Sequence, residues 1–220
     1  MHIHSSRILF EDEHLLGVNK LSNELVVKGS GTVGKLPLFD LLRKDHPGLR
    51  AVHRLDFETS GVVVFAKSKP VEKAIIESSF AGWEKTYHTL VVGRLPRDEG
   101  VIRAPLPARG GGKVPAETRY RVLHRFVNSS EVLVIITTGR HHQIRRHFQF
   151  MGHPLVLDHI YGNKPFNRVF TQEFKLRHFF LHAEAVSFPH PMTSKLVNIE
   201  APLPSIFLKM LQKLKSGSRN

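Results

Sequence analysis

Residues 53–61 read HRLDFETSG, and the apolar run VVVFAK follows directly at 62–67. A plain turn before a strand needs Gly, Asn or Asp, but it does not need a His-Arg pair in front of the Asp. The carboxylate of Asp56 can act as a general base, a nucleophile or a metal ligand, or it can simply cap the turn. The stretch therefore predicts a buried strand that begins after a turn with chemically useful side chains.

The rest of the chain consists of apolar runs separated by turn residues. Alternating or wholly apolar patterns predict a hairpin at 7–20 and strands at 61–67, 84–95, 118–126, 131–139, 178–191 and 195–202. Helical spacing of apolar residues predicts helices at 37–48, 69–82, 140–154 and 205–215. Loops are expected at 25–35 and 162–176, and a connection or an irregular hairpin at 97–117.

This order of elements decides the predicted fold class. Strands outnumber helices, short turns join most neighbours, and regular βαβ alternation is absent. The pattern favours an α+β fold on a largely antiparallel, mixed sheet with flanking helices. A length of 220 residues suits one large domain or two small ones, and we expect residues 1–220 to form a single catalytic domain.

Composition narrows the classes of function. The chain has no cysteine, which excludes disulfides and thiolate metal sites and fits a cytoplasmic protein. No apolar stretch approaches the ~20 residues of a membrane helix, so no membrane partner is expected. Lys and Arg total 32 against 19 Asp and Glu, and the net charge of +13 favours a nucleic-acid partner. A basic protein without such a partner is the alternative.

A second polar stretch, TGRHHQIRRH, spans residues 138–147. A glycine before an Arg-rich helix start suits a polyanion, because backbone N–H groups and guanidinium groups both bind phosphate. A basic, solvated helix face explains the same pattern. His141, His142, His147 and, just beyond the stretch, His153 invite a zinc hypothesis. Their spacing does not match HExxH and no acidic residue lies among them, so no metal site is predicted.

Lys85 and Tyr87 lie on the predicted strand at 84–95 and share one of its faces. A tyrosine beside a cationic groove can stack on a base. A half-buried sheet tyrosine is the simpler interpretation.

Five blocks of the chain, in order, resemble the RluA-type pseudouridine synthases. The signature HRLDxxTSGxxxxAK is matched by HRLDFETSGVVVFAK at 53–67. The later blocks are EKTYHTLVVG (84–93), AETRYRVL (116–123), TTGRHHQIRRHFQFMGHPLVLDHIYG (137–162) and LHAEAVSFPHP (181–191). The resemblance covers the chain from about residue 8 to 202.

The resemblance implies that uridine in RNA is converted to pseudouridine and that Asp56 is the catalytic residue. It implies that Tyr87 packs on the target base, that Arg140 pairs with the catalytic carboxylate, and that Ile144 helps to line the pocket. The target uridine would be flipped out of the RNA. The ionised carboxylate can attack the sugar C1′, attack the base C6, or assist removal of the C2′ proton.

Further side chains of the same blocks are expected to bind RNA. They are His53, Arg54, Lys85 and Arg145. His53 and Arg54 are expected to bind RNA or to support the turn rather than to take part in the chemistry. An isomerisation needs no metal, nucleotide or redox cofactor.

The resemblance leaves the target open. Ribosomal RNA and transfer RNA are both candidates, and we expect a monomer. No separate N-terminal RNA-binding module is expected, so recognition would come from the catalytic domain, with the loops at 25–35, 103–116 and 162–176 and the basic tail.

One block departs from the family pattern, because the usual NKPAG reads NKLSN at 19–23. This change affects the shape of the local loop and bears on the choice of substrate.

Two other classes of function compete with the synthase. A non-catalytic RNA chaperone on the same fold would keep the basic surface, but it would tolerate loss of Asp56, Tyr87 or Arg140, and all three are present. A metal-dependent hydrolase would use the histidine cluster.

Overall fold

A computed structural model describes residues 3–28, 36–108, 110–176 and 179–217. The strands are β1 Ile8–Glu11, β2 Leu15–Lys20, β3 Arg50–Ala51, β4 Ser60–Ala66, β5 Glu84–Val92, β6 Glu99–Ile102, β7 Leu106–Pro107, β8 Lys113–Val114, β9 Thr118–Arg125, β10 Ser129–Ile136, β11 Leu181–Pro189 and β12 Leu196–Glu200. The helices are α1 Leu38–Leu42, α2 Lys69–Glu77, α3 Gln143–Phe150, α4 Lys164–Phe174 and α5 Ser205–Gly217. The fold is α+β with a mostly antiparallel mixed sheet and flanking helices, as predicted.

The prediction of a loop at 162–176 was wrong, because α4 occupies most of it. The side chain of Asn163 accepts a hydrogen bond from the Phe166 N–H, and a proline lies in the first turn. Phe166, Phe170 and Phe174 follow at helical spacing, and their rings pack on one another. The residues 29–35 of the predicted loop at 25–35, and the last three residues of the basic tail, lie outside the described part of the chain.

The chain divides into two compact units, Met1–Lys85 with Ala183–Pro202, and Thr86–His182 with Leu203–Asn220. The first unit has the strand order β1-β2-β4-β11, in which β12 pairs with β11 and β3 pairs with β4. All seven residues of β4 are buried, as its continuous apolar run predicted. In its core Trp83 stacks on Phe188 with the ring centroids 4.1 Å apart.

The register between β2 and β4 positions the turn at residues 56–59. These strands are antiparallel, and Val18 pairs with Val63 while Lys20 pairs with Gly61. The last residue of β2 therefore lies beside the point where the 56–59 turn enters β4.

In the second unit β5, β10, β9 and β6 are neighbours in that order, and β9 pairs with both β10 and β6 in antiparallel register. Its core contains Phe170 from α4 together with Phe180, Phe207 and Met210. The predicted helix at 140–154 is shorter than expected, because α3 begins at Gln143. His142 has a left-handed backbone with φ of 53° and so cannot continue the helix towards its N-terminus.

Candidate active site

Asp56 lies in a tight turn of the first unit. The Thr59 N–H donates to the Asp56 carbonyl at 3.2 Å, and β4 begins at the next residue. Gly61 has a φ of 112°, and a Cβ at this position would overlap the backbone of Ala183. The glycine of the HRLDFETSG stretch is therefore required by close packing, and this packing fixes the strand that follows the Asp56 turn.

Lys20, a residue that the sequence interpretation did not select, holds this turn. Its side chain is fully buried. Its ammonium donates to the carbonyls of Phe57 at 2.9 Å and Thr59 at 2.5 Å, and to its own neighbour Leu21 at 3.0 Å. The alternation in LLGVNK (15–20) indicates that Lys20 lies on an apolar face, because Leu16, Val18 and Lys20 share one face of β2.

Burial lowers the pKa of Lys20 to about 7, although the carboxylates of Glu24, Asp56 and Glu58 oppose this shift. Asp56 therefore lies within electrostatic range of the Lys20 ammonium.

His53 supports the same strand. Its Nε2 accepts a hydrogen bond from the Val64 N–H at 2.9 Å, and its ring packs edge-on against Trp83 with the centroids 5.7 Å apart. Burial and, to a lesser extent, the charge of Lys85 lower the pKa of His53 to about 3, so the ring is neutral at physiological pH. This geometry favours support of the turn over RNA contact. Arg54, the next residue, is exposed.

Lys85 is a buried cation on β5. Its Nζ lies 5.5 Å from the ring centroid of Phe80 and 5.9 Å from that of Trp83. Burial lowers its pKa from the ordinary lysine value. The first unit thus contains His53, Arg54, Asp56 and Lys85 of the predicted site residues.

The second unit contains the other predicted site residues: Tyr87, Arg140, Ile144 and Arg145. Tyr87 lies on β5 with only 8% of its surface exposed, and Ile144 is buried in the first turn of α3. Arg140 is exposed in the turn before that helix.

Gln143, a second residue that sequence reasoning missed, fixes the turn that carries Arg140. Its side-chain oxygen accepts from the Arg140 N–H at 3.1 Å and from the Thr138 hydroxyl at 2.7 Å. Its side-chain nitrogen donates to the Glu117 carbonyl at 2.9 Å and to the Thr118 hydroxyl at 3.2 Å. All four hydrogen-bonding positions of this buried amide are therefore used.

Arg145 is buried and forms a bidentate ion pair. Its Nε and one terminal nitrogen lie 2.7 and 2.8 Å from the two carboxylate oxygens of Asp158. Burial would raise the pKa of Asp158, but the hydrogen bonds from Arg145 and from the Tyr161 and Ile160 N–H groups hold it below its usual value. The guanidinium also lies 4.8 Å from the ring centroid of Phe179. This position favours a structural role for Arg145 over the expected contact with RNA.

Three of the four histidines of the zinc hypothesis have separate hydrogen-bond partners, and the fourth, His141, stacks on His142. His147 contacts the Thr118 hydroxyl and the Ala104 carbonyl, His153 contacts the Val92 carbonyl, and His142 contacts the Tyr161 hydroxyl. Within the described residues no group of three or more His, Cys, Asp or Glu side chains could hold a metal ion. Among those same residues, no helix has the length and apolar character needed to cross a membrane.

Comparisons with known proteins agree with the resemblance found in the sequence. The family model described as RNA pseudouridylate synthase matches residues 14–150. The ribosomal large subunit pseudouridine synthase C of Escherichia coli K12 is 37% identical over 224 aligned positions, which cover 96% of this chain and 70% of that protein. The protein of the same name from Vibrio cholerae is 36% identical with the same coverage.

Solved structures with the same fold include two human proteins. The human RNA pseudouridylate synthase domain containing 4 has a TM-score of 0.78 and 25% identity, and the match covers 96% of this chain and 94% of that one. The human RNA pseudouridylate synthase domain containing 1 has a TM-score of 0.73, 25% identity and 98% coverage of both chains. Because the family model spans more than half of the chain and the relatives match nearly all of it, the chain belongs to the RluA-type RNA pseudouridine synthases, which are isomerases.

Proposed function

We propose that this protein converts specific uridines of large-subunit ribosomal RNA to pseudouridine and that Asp56 is the catalytic residue. The RNA class rests on the relatives named ribosomal large subunit pseudouridine synthase C, at 36–37% identity over 96% of the chain. The assignment of Asp56 as the catalytic residue rests on one structural observation. The three carbonyls that follow Asp56 each accept a hydrogen bond from the segment at 20–23, so the turn presents its carboxylate from a fixed backbone.

The proposed chemistry requires an ionised carboxylate at position 56. The reaction breaks the bond between the ribose C1′ and the base N1 and joins C1′ to C5; the C5 proton is then released and N1 takes up a proton, so that the product is an isomer of the substrate. Attack on C1′, attack on C6 and removal of the C2′ proton all begin from the carboxylate form. Deuterium at C2′ distinguishes proton removal from the two routes of attack, because only proton removal gives a primary isotope effect at that position.

For Tyr87, Ile144 and Arg140 we propose the roles that the resemblance implies. Tyr87 packs on the target base, Ile144 lines the pocket, and Arg140 contributes a permanent positive charge to the reaction. An arginine is suited to this role because it is always charged and presents a rigid set of donors. Arg54 and Lys85 contribute positive charge for the RNA.

The test is release of tritium from RNA labelled at uridine C5. Transcripts of large-subunit ribosomal RNA, small-subunit ribosomal RNA and transfer RNA are incubated separately with wild type, Asp56→Asn and Asp45→Asn. The last variant makes the same chemical change at an exposed aspartate of the same unit. We expect wild type and Asp45→Asn to release tritium from large-subunit RNA, and Asp56→Asn to release none.

Other outcomes would contradict individual parts of this proposal. Release from transfer RNA alone would contradict the RNA class. Release by Asp56→Asn at the wild-type rate would contradict the assignment of the catalytic residue.

We further propose that the enzyme acts in the cytoplasm as a monomer without a cofactor. The isomerisation consumes no co-reactant, so activity should persist when a chelator removes metal ions. Analytical ultracentrifugation of the active protein should give a mass near 25.0 kDa.

A further inference from the structure

The carbonyls of residues 57, 58 and 59 immediately follow Asp56 and are held by one short segment. Lys20 donates to the carbonyls of Phe57 and Thr59. The Asn23 N–H donates to the Phe57 carbonyl at 2.9 Å. The Ser22 hydroxyl donates to the Glu58 carbonyl at 2.7 Å. Residues 20–23, called the brace segment below, therefore satisfy three consecutive carbonyls of the turn.

The brace segment is also the place where this chain departs from the family pattern NKPAG. Leu21 replaces the proline, and its N–H donates to the Glu24 carboxylate at 2.9 Å, a bond that proline cannot make. Arg7 binds the same carboxylate with two nitrogens at 3.0 and 2.5 Å. Asn23 replaces the glycine and keeps the left-handed backbone, with a φ of 63°.

Ser22 replaces the alanine of that pattern and adds a contact that alanine lacks. Its hydroxyl is the donor to the middle carbonyl of the three, while Lys20 holds the carbonyls on either side. Without this hydroxyl the peptide between Glu58 and Thr59 would lose its bond to the brace segment. Because the Thr59 N–H belongs to that peptide and closes the turn on the Asp56 carbonyl, its rotation would change the backbone that carries the carboxylate.

We propose that Ser22 is a positioning residue for Asp56 and that it compensates, together with the Glu24 contact of Leu21, for the loss of the proline and glycine in this block. The inference rests on the proposed role of Asp56. Reacting groups must be held within fractions of an ångström, so small movements of a catalytic carboxylate lower the rate of the chemical step. Binding of RNA depends on other groups and should be unaffected.

The experiment compares Ser22→Ala and Ser22→Thr with Ser78→Ala. Ser78 makes the same kind of bond in the same unit, from its hydroxyl to the Ile75 carbonyl at 2.8 Å. The net contribution of one neutral hydrogen bond corresponds to a fall of about threefold to tenfold in kcat for Ser22→Ala. We expect KM to stay unchanged, Ser22→Thr to recover most of the rate because it keeps the hydroxyl, and Ser78→Ala to leave kcat unchanged.

A second readout does not depend on activity. Amide hydrogen exchange at Thr59 should be faster in Ser22→Ala than in wild type, because this N–H closes the turn. Unchanged exchange, an unchanged kcat, or a rise in KM alone would overturn the positioning role. Absence of tritium release by wild type would instead contradict the proposed function, and the exchange at Thr59 would still show whether Ser22 holds the turn that carries Asp56.

Discussion

The side-chain oxygen of Gln143 accepts the backbone N–H of Arg140 at 3.1 Å, while the backbone N–H of Gln143 donates to the Arg140 carbonyl at 3.0 Å. This reciprocal pair closes the turn before α3. The same amide is anchored to β9 through Thr118 and to the adjoining residue Glu117. The position of Arg140 therefore depends on a side chain three residues further along the chain.

Replacing Gln143 by leucine should lower both stability and rate. Buried groups lose their partners, so the free energy of unfolding should fall by about 1–3 kcal/mol. We expect kcat to fall as well, because the turn that carries Arg140 is released. Urea unfolding and tritium release measure the two effects, and Gln149→Leu on the exposed part of α3 is the control.

A double-mutant comparison shows whether Gln143→Leu lowers kcat through Arg140 or through a general loss of stability. In an Arg140→Lys background, the further loss of kcat on Gln143→Leu should be smaller than in wild type, since the two residues act together. An equal loss in both backgrounds would show that Gln143 does not act through Arg140.

Breaking the Arg145–Asp158 pair should destabilise the protein strongly. Both side chains are almost fully buried, with exposed fractions of 2% and 0%. Arg145→Met leaves the Asp158 carboxylate without its cation, and a loss of about 3–5 kcal/mol in the free energy of unfolding is expected. The control is Arg168→Met at an exposed arginine of α4, which should change the free energy of unfolding little.

The same variants test the alternative of RNA contact by Arg145. If its guanidinium binds the substrate, Arg145→Lys would raise KM with little change in stability. We expect Arg145→Lys to lower the free energy of unfolding and to leave KM little changed, because a lysine cannot reproduce the bidentate pairing with Asp158.

Lys20 should make stability depend on pH in the alkaline range. Its pKa is about 7 in the folded protein and 10.5 for an ordinary lysine, so between these values the unfolded chain binds more protons than the folded one. The free energy of unfolding contributed by this group therefore rises with pH from about 7 upward. Urea unfolding between about pH 6.5 and 9.5 should show a growing difference between wild type and Lys20→Met.

Lys28→Met, at an exposed lysine of the same unit, is the control for this pH dependence. Its difference from wild type should stay constant across the range. A constant difference for Lys20→Met as well would contradict the low pKa of Lys20.

Asn23 provides a test of the backbone of the brace segment. Its φ of 63° is strained for alanine and natural for glycine. Asn23→Ala should therefore lower the free energy of unfolding by about 1–3 kcal/mol, whereas Asn23→Gly should change it little. Thermal unfolding of the two variants side by side measures the contrast, and equal losses would show that the asparagine side chain, rather than φ, is what matters.

Sequence patterns predicted most of the local structure. The hairpin at 7–20, the buried strand that begins at Ser60 and the C-terminal helix were recovered because their apolar periodicity is strong. The helix α4 was missed because its signals, an Asn cap, an early proline and phenylalanines four residues apart, lie between glycine and basic residues that resemble a loop.

The sequence alone determined the family and the candidate catalytic residue, since the ordered motifs around Asp56, Tyr87 and Arg140 are local features of the chain. Only the tertiary structure decided which residues support that site. Lys20 reaches carbonyls 37 and 39 residues away, and Arg145 is bound to Asp158 instead of facing solvent. A charged side chain can be buried only where partners meet it, and those partners are brought together by strand register and helix packing over long separations in the chain.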